Sequence, residues 1–158
     1  MRTYGLIGTS LEHSWSKDFF EDKFIRENIQ NSTYKNFQLS DISLLRRMLS
    51  NNPSICGLNV TIPYKTAVIP YLDSLDQDAA RIGAVNCIKV SRTWQGLLLK
   101  GYNTDCPAFA STLGPFLHEG LKEALILGTG GAAKAVSFAL TSLGIGHRFA
   151  GSRYLPGS

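Results

Sequence analysis

No run in this 158-residue sequence reaches the roughly 20 consecutive apolar residues that a membrane-crossing helix needs. Cysteine is scarce. Cys56, Cys87 and Cys106 are odd in number, show neither close pairing nor metal-ligand spacing, and read as reduced thiols of a cytoplasmic protein with no metal. No basic cluster interleaves with aromatics. The net charge of +4 is spread thinly, and the only adjacent pair, Arg46-Arg47, falls in a helix-like stretch. Nucleic acid and membrane are therefore not expected partners, whereas a mild positive balance suits a small anionic molecule. There are no internal repeats and no low-complexity segment. The opening Met1-Arg2-Thr3-Tyr4 leads into a strand pattern and not into a signal peptide.

What is present is an alternation of short apolar runs and helical patterns. Residues 3–8, 33–39 and 55–60 read as strands. Residues 16–29 offer Phe19, Phe20 and Phe24 on one helical face, and Ser40-Asp41 precedes a helix over 42–49. A helical region over 76–82 runs into Gly83, and 86–90 with 96–100 look like a strand pair. The order predicts an α/β protein whose open, mostly parallel sheet is covered by helices. A second unit is expected from Asp105: a linking helix over 107–113, a strand over 123–127, a helix over 132–143 and a strand beginning at His147. The expected division is residues 1–104, a substrate domain, and 105–158, a linker helix plus an incomplete Rossmann-type unit. A dinucleotide-binding half needs βαβαβ, so one βαβ predicts a truncated chain.

Within that second unit, Leu125-Ile126-Leu127 feeds Gly128-Thr129-Gly130-Gly131-Ala132-Ala133 at the mouth of a helix. This is G-x-G-x-x-A in the context the dinucleotide fingerprint requires. The first glycine makes the turn, the second lets backbone N–H groups approach a pyrophosphate, and the small third residue lets helix and strand pack closely. Without a ligand, the same run is a glycine-rich turn. The next strand ends in Gly151-Ser152-Arg153, with no acid for a ribose hydroxyl. Arg153 could fork onto a 2′-phosphate, which favours NADP, or it is a surface arginine.

The N-terminal part carries more polar residues at element ends. Ser14 and Ser16 stand just before a helix, where free N–H groups favour an anion, although either alone reads first as an N-cap. Asn59-Val60-Thr61-Ile62-Pro63-Tyr64-Lys65 lies at the carboxyl end of a buried strand, where open α/β sheets bind ligands. Taken alone, Lys65 is as readily a solvated surface lysine. Gly83-Ala84-Val85-Asn86 and Asn103-Thr104-Asp105 add polar groups beside glycine-marked ends.

The ordered set His13-Ser14-x-Ser16, Asn59-Val60-Thr61-x-Pro63-x-Lys65, Gly83-Ala84-Val85-Asn86, Asn103-Thr104-Asp105 and Gly128-x-Gly130-Gly131-Ala132 resembles the shikimate dehydrogenase family, from Gly5 to Arg153. The resemblance implies NADP-dependent, reversible reduction of 3-dehydroshikimate to shikimate in aromatic amino acid biosynthesis. It implies that Ser14 and Ser16 hold the ring carboxylate. Thr61, Asn86 and Asp105 would bind ring hydroxyls, with Asn59 supporting the strand end and Lys65 with Asp105 as the catalytic pair. Gly128, Thr129, Gly130, Gly131, Ala132, Ser152 and Arg153 would serve the cofactor. An amine whose pKa burial lowers, oriented by a carboxylate, exchanges a hydroxyl proton near neutral pH. The sequence departs from the family pattern at Lys17 and Thr129, where proline and alanine are usual, and in lacking the basic residue usually found after Arg153. Quinate as substrate, or a non-catalytic fragment that oligomerises through its open sheet edge, are the alternatives. A monomer or a homodimer is expected.

Overall fold

The computed structural model describes residues 1–94 and 96–151. Strand β1 (Arg2–Gly8) pairs in parallel with β2 (Ser32–Gln38) and with β3 (Ile55–Val60). Helix α1 (Ser16–Arg26) links β1 to β2, and α2 (Leu45–Asn51), entered through a 3-10 turn at Ile42–Leu44, links β2 to β3. After β3 come the one-turn α3 (Tyr64–Ala67), a 3-10 turn at Ile69–Tyr71, β4 (Ser74–Leu75) and α4 (Gln77–Ile82). Strands β5 (Cys87–Thr93) and β6 (Gly96–Tyr102) form an antiparallel hairpin. Its first strand pairs antiparallel with β3, and β4 pairs in parallel with β6. The sheet order is β2-β1-β3-β5-β6-β4. The sheet is thus mixed, with the parallel pairs in the majority.

Period-two alternation decides what each face buries. Ile7, Leu58, Val60, Ile88, Val90 and Leu99 point to one face, where Leu45 and Leu49 of α2, Tyr64 and Val68 of α3 and Ala79 of α4 complete the main core. On the other face Tyr4, Leu6 and Tyr34 meet Phe20 and Phe24 of α1. Helix α1 stops three residues earlier than its pattern predicts, because Asn28 adopts φ 52° and turns the chain towards β2. Helix α4 ends at the expected Gly83, whereas Asp76, expected inside the helix, is its N-cap. Asp76 accepts from the Ala79 N–H at 2.9 Å, and Gly83 closes the helix with φ 67°.

Helix α5 (Asp105–Leu113) starts two residues before the expected Pro107, because Asn103 Oδ1 accepts the Cys106 N–H and proline is tolerated in a first helical turn. Strand β7 (Glu123–Leu127), α6 (Gly131–Ser142) and β8 (Gly146–Ala150) form a right-sized βαβ with a two-stranded parallel sheet. Helix α5 joins the two halves: Cys106 packs with Ile82, Ala84, Ala135 and Ala139, while Phe109 and Leu113 lie against the Ile126–Leu140–Ile145 cluster. No helix among the described residues is long and apolar enough to cross a membrane. The three cysteines are free thiols, and burial raises the pKa of Cys87 and of Cys106.

Asp73, just before β4, ties α2 to the hairpin. Its carboxylate accepts from the Leu99 N–H at 2.7 Å and from Arg46 at 2.7 Å. The backbone hydrogen bond from Leu99, then Arg46, hold its pKa below the usual value. A depressed folded pKa gives stability that is present above the ordinary value of about 3.9 and is lost as pH falls through the folded value. Asp73→Asn is therefore expected to lower Tm at pH 6, with the gap to the parent narrowing below about pH 4. Thermal melts across that range check it, and a gap that stays constant with pH contradicts it.

Candidate functional site

Parallel strands end their carboxyl termini on one edge of the sheet, and the connections leaving that edge carry the polar residues. Strand β3 delivers Asn59 and, beyond its end, Thr61 and Lys65. Thr61 N–H donates to the Ile7 carbonyl of β1, and the Ile62–Pro63 peptide is cis. Tyr64, whose hydroxyl donates to the Leu39 carbonyl at 2.8 Å, buries one side of α3 and leaves Lys65 on its other side. The loop from Gly83 to Asn86 is held by the Val85 N–H donating to the Lys65 carbonyl at 2.7 Å. Asn86 in turn accepts the Val60 N–H through its own backbone carbonyl.

These loops place Lys65 against the first residue of α5. Lys65 Nζ and Asp105 Oδ2 are 2.6 Å apart, with the lysine side chain 17% and the aspartate 30% exposed. The pair is part-buried and still reaches solvent. The other aspartate oxygen, Oδ1, accepts from Asn86 Nδ2 at 2.7 Å. Asn86 is buried and spends every polar atom of its side chain nearby: Nδ2 also donates to Thr104 Oγ1 at 2.8 Å, and Oδ1 accepts the Thr104 N–H at 2.8 Å. An amide that grips both the backbone before the helix and the carboxylate at its start fixes the carboxylate's direction. Residues 40 apart in sequence thus form one ion pair, with a third group that orients its carboxylate.

Ser14 and Ser16 sit at the entry of α1. Ser14 Oγ accepts the Ser16 N–H at 3.3 Å, but Trp15 is the N-cap and has no side-chain capping bond, so neither serine is the N-cap and Ser16 is the first helical residue. Asn59 at the end of β3 accepts from the buried Tyr34 hydroxyl at 2.8 Å. Sequence reasoning does not single out Tyr34: alternation marks it as a strand residue facing a core and gives no sign of the amide its hydroxyl meets.

The glycine turn follows β7. Gly128 has φ 110°, a conformation side chains rarely adopt, and its N–H donates to the Ala150 carbonyl at 2.7 Å. Gly130 has φ −77° and nothing within 4 Å of where a Cβ would stand, so neither backbone nor packing in this chain requires glycine there. Ala133 is buried on the β7 side of α6, the close packing expected of the small third residue. Gly131 shows a role the motif does not announce: a Cβ on it would come within 2.5 Å of the Lys65 Cβ. The amino end of α6 therefore seats directly on the stem of Lys65. Lys134 adds a second tie by donating to the Gly83 carbonyl at 3.4 Å. Thr129 and Ala132 complete the turn. Ser152 and Arg153 lie outside the described residues. Among the described residues no group of three or more His, Cys, Asp or Glu side chains could hold a metal ion.

A mixed α/β sheet with an amine–carboxylate pair at its carboxyl edge is joined through one helix to a strand–glycine turn–helix. The family model described as "Shikimate dehydrogenase substrate binding domain" matches residues 6–88. A shikimate dehydrogenase (NADP(+)) of Moorella thermoacetica is 42% identical over 144 residues, covering 89% of this chain and 47% of that protein. The crystal structure of shikimate dehydrogenase 1 from Peptoclostridium difficile superposes with a TM-score of 0.84 at 38% identity, covering 98% of this chain and 58% of that one. The Thermus thermophilus shikimate 5-dehydrogenase in complex with NADP(H) and shikimate gives a TM-score of 0.78 at 29% identity, covering 96% and 56%. The chain belongs to the shikimate dehydrogenase family of oxidoreductases. It spans about half the length of the curated relatives it matches.

Proposed function

We propose that this chain binds shikimate and 3-dehydroshikimate and serves their NADP-linked interconversion, in the biosynthetic direction the reduction of the ketone. The observation that carries the reading is the 2.6 Å Lys65–Asp105 pair, braced by Asn86, at the sheet's carboxyl edge. In this reading the Lys65 ammonium gives its proton to the carbonyl oxygen as that oxygen becomes a hydroxyl. Asp105 aims the amine and, with Thr61 and Asn86, accepts or donates hydrogen bonds to the ring hydroxyls. Ser14 and Ser16 receive the ring carboxylate at the amino end of α1, and Asn59 supports the end of β3. Residues 1–104 act as the substrate domain and 105–158 as the linker helix with the first βαβ of the cofactor domain.

The turn residues fit a dinucleotide. The unfilled space over Gly130, at an ordinary φ, supports close approach of a pyrophosphate to the N–H groups of Thr129, Gly130, Gly131 and Ala132, while Gly128, whose N–H is taken by the Ala150 carbonyl, shapes the turn. When bound, NADPH supplies the hydride that reduces the ring carbon. Preference for NADP rests on Arg153, with Ser152 beside it, and the preference for shikimate over quinate rests on the family.

A single βαβ offers the pyrophosphate turn but only part of a nicotinamide site. The chain itself is therefore expected to bind shikimate while oxidising NADPH with 3-dehydroshikimate at close to the background rate. Following absorbance at 340 nm (a property of the reduced nicotinamide) checks this. Turnover at the rate of a full-length family member would overturn the division of labour between the halves.

A further inference from the structure

The first turn of α6 is pressed against the substrate half. Gly131, its first residue, leaves no room for a side chain: a Cβ there would stand 2.5 Å from Lys65 Cβ, 3.4 Å from Lys65 Cδ and 3.5 Å from Ala84 Cβ. One turn on, Lys134 donates to the Gly83 carbonyl at 3.4 Å, and Ala135 packs in a cluster with Ala84, Ile82 and Cys106. The nearest atom decides the matter, because no rotamer change of Lys65 carries its own Cβ away. The backbone beneath it is pinned too. Tyr64 is buried and bonded through its hydroxyl to the Leu39 carbonyl, Val68 is buried, and the Lys65 carbonyl accepts the Val85 N–H. On the other side, α6 is locked through Ala135 and Ala139 to Cys106 of α5, the helix that begins at Asp105. One glycine thus stands between the backbone that carries the amine and the helix packed on the carboxylate's own.

We propose that Gly131 is a positioning residue for Lys65: its missing side chain lets α6 rest on the lysine stem and hold the ammonium against Asp105. The inference rests on the substrate reading above and deepens it, giving a residue of the glycine turn a steric part on the substrate side. A lysine stem is flexible, and a solvated lysine spreads over many rotamers. Here the stem is confined between α3 and the α6 backbone, and its ammonium sits 2.6 Å from the carboxylate. A methyl group at position 131 would need about 1 Å more separation to reach ordinary carbon–carbon contact. If α3 yields, the lysine moves relative to Asp105. If α6 yields, it pulls on α5 and strains the start of that helix against the hold of Asn86. Either movement disturbs the pair. The effect is steric and local, so it is expected with no dinucleotide bound.

The carboxyl carbon of Asp105, followed by carbon NMR in this chain without ligand, reports on the pair. Lys65→Ala gives the reference for a broken pair, since it keeps the Cβ on which α6 rests and loses the amine. In Gly131→Ala the Asp105 signal is expected to move clearly from its parental position towards that reference. The carboxyl signal of Asp73, paired with Arg46 and remote from the seat, should stay where it is. Shikimate binding to the same variant, measured by calorimetry, should weaken roughly fivefold, the effect of one misaligned hydrogen bond. A purely structural role for Gly131 would lower Tm and leave the Asp105 signal of the folded chain unmoved, and that result overturns the proposal. A moved signal with parental affinity overturns it as well, because the position of the amine would then not matter to the site. A parent chain that does not bind shikimate sinks the substrate reading, and the carboxyl signal still decides whether Gly131 seats the lysine. Lys134→Met stands in for a Gly131→Ala chain that does not fold, since it frees the same turn from Gly83 without adding bulk at the stem. It should move the Asp105 signal in the same direction by less, and no movement counts against the proposal.

Discussion

Lys65→Ala, made in a protein that joins this segment to a complete dinucleotide-binding domain, is expected to lower kcat by about 10²–10⁴-fold while KM for the ring acid moves only a few-fold. The structure says why the loss should be kinetic. Alanine keeps the Cβ that packs against Gly131, so α6 retains its seat. The bond from the Val85 N–H to residue 65 uses the backbone carbonyl and survives. Asp105 stays held by Asn86 through Oδ1, and at 30% exposure its freed Oδ2 can be reached by water. What disappears is the one amine facing the carboxylate. Lys65→Arg separates charge from proton exchange, because a guanidinium retains the positive charge and does not release its proton. It should be nearly as slow as alanine. Steady-state kinetics of the two variants decide it, and an arginine variant near the parental rate would remove Lys65 from the proton-transfer role.

Asn86→Ala is expected to do the reverse, damaging the scaffold first. The side chain is buried and satisfies three partners: the Thr104 N–H, Thr104 Oγ1 and Asp105 Oδ1. Deleting it strands polar groups at the junction of β6 and α5, a loss of about 1–3 kcal/mol. For a chain of this size that corresponds to a Tm lower by about 2–12 °C. Asn86→Asp sharpens the test. It keeps an acceptor for the Thr104 N–H but sets a second carboxylate against Asp105, and like charges so close cannot both ionise freely. Its stability should recover towards the parent as pH falls and one of the two carboxylates takes a proton. Thermal melts at pH 7 and pH 4.5 measure this. A pH-independent deficit would mean that Asn86 does not bear on the charge of Asp105.

The contrast between these variants reflects how much of the molecule could be read from residues alone. The three parallel strands and their linking helices were legible because alternation at 3–8 and 55–60, the phenylalanine face over 16–29 and the Ser40-Asp41 cap signal are local. The one-turn α3 was not, since four residues after Pro63 carry no periodicity, and the two-residue β4 exists only through its partner β6. The β5–β6 pair was legible as two neighbouring strands, whereas its antiparallel join to β3 is a tertiary outcome. In the site, Lys65, Asn86 and Asp105 stood out in the sequence as polar residues at element ends, and the family resemblance grouped them. Their mutual distances came only with the fold. Gly131 looked like one more cofactor glycine, whereas its missing side chain also makes room for the stem of Lys65. Tyr34 looked like core because its ring is core. Only the hydrogen bond that its oxygen donates to Asn59 shows otherwise.

The most direct measurement is a shikimate titration of the isotope-labelled chain followed residue by residue in two-dimensional NMR spectra. Saturable shifts should gather at Ser14, Ser16, Thr61, Lys65, Asn86 and Asp105, with Arg46, Arg92 and the β7–β8 sheet unmoved. Shifts that are absent, or that saturate at a surface away from the Lys65–Asp105 pair, would contradict the assignment of this edge of the sheet as the ring-acid site.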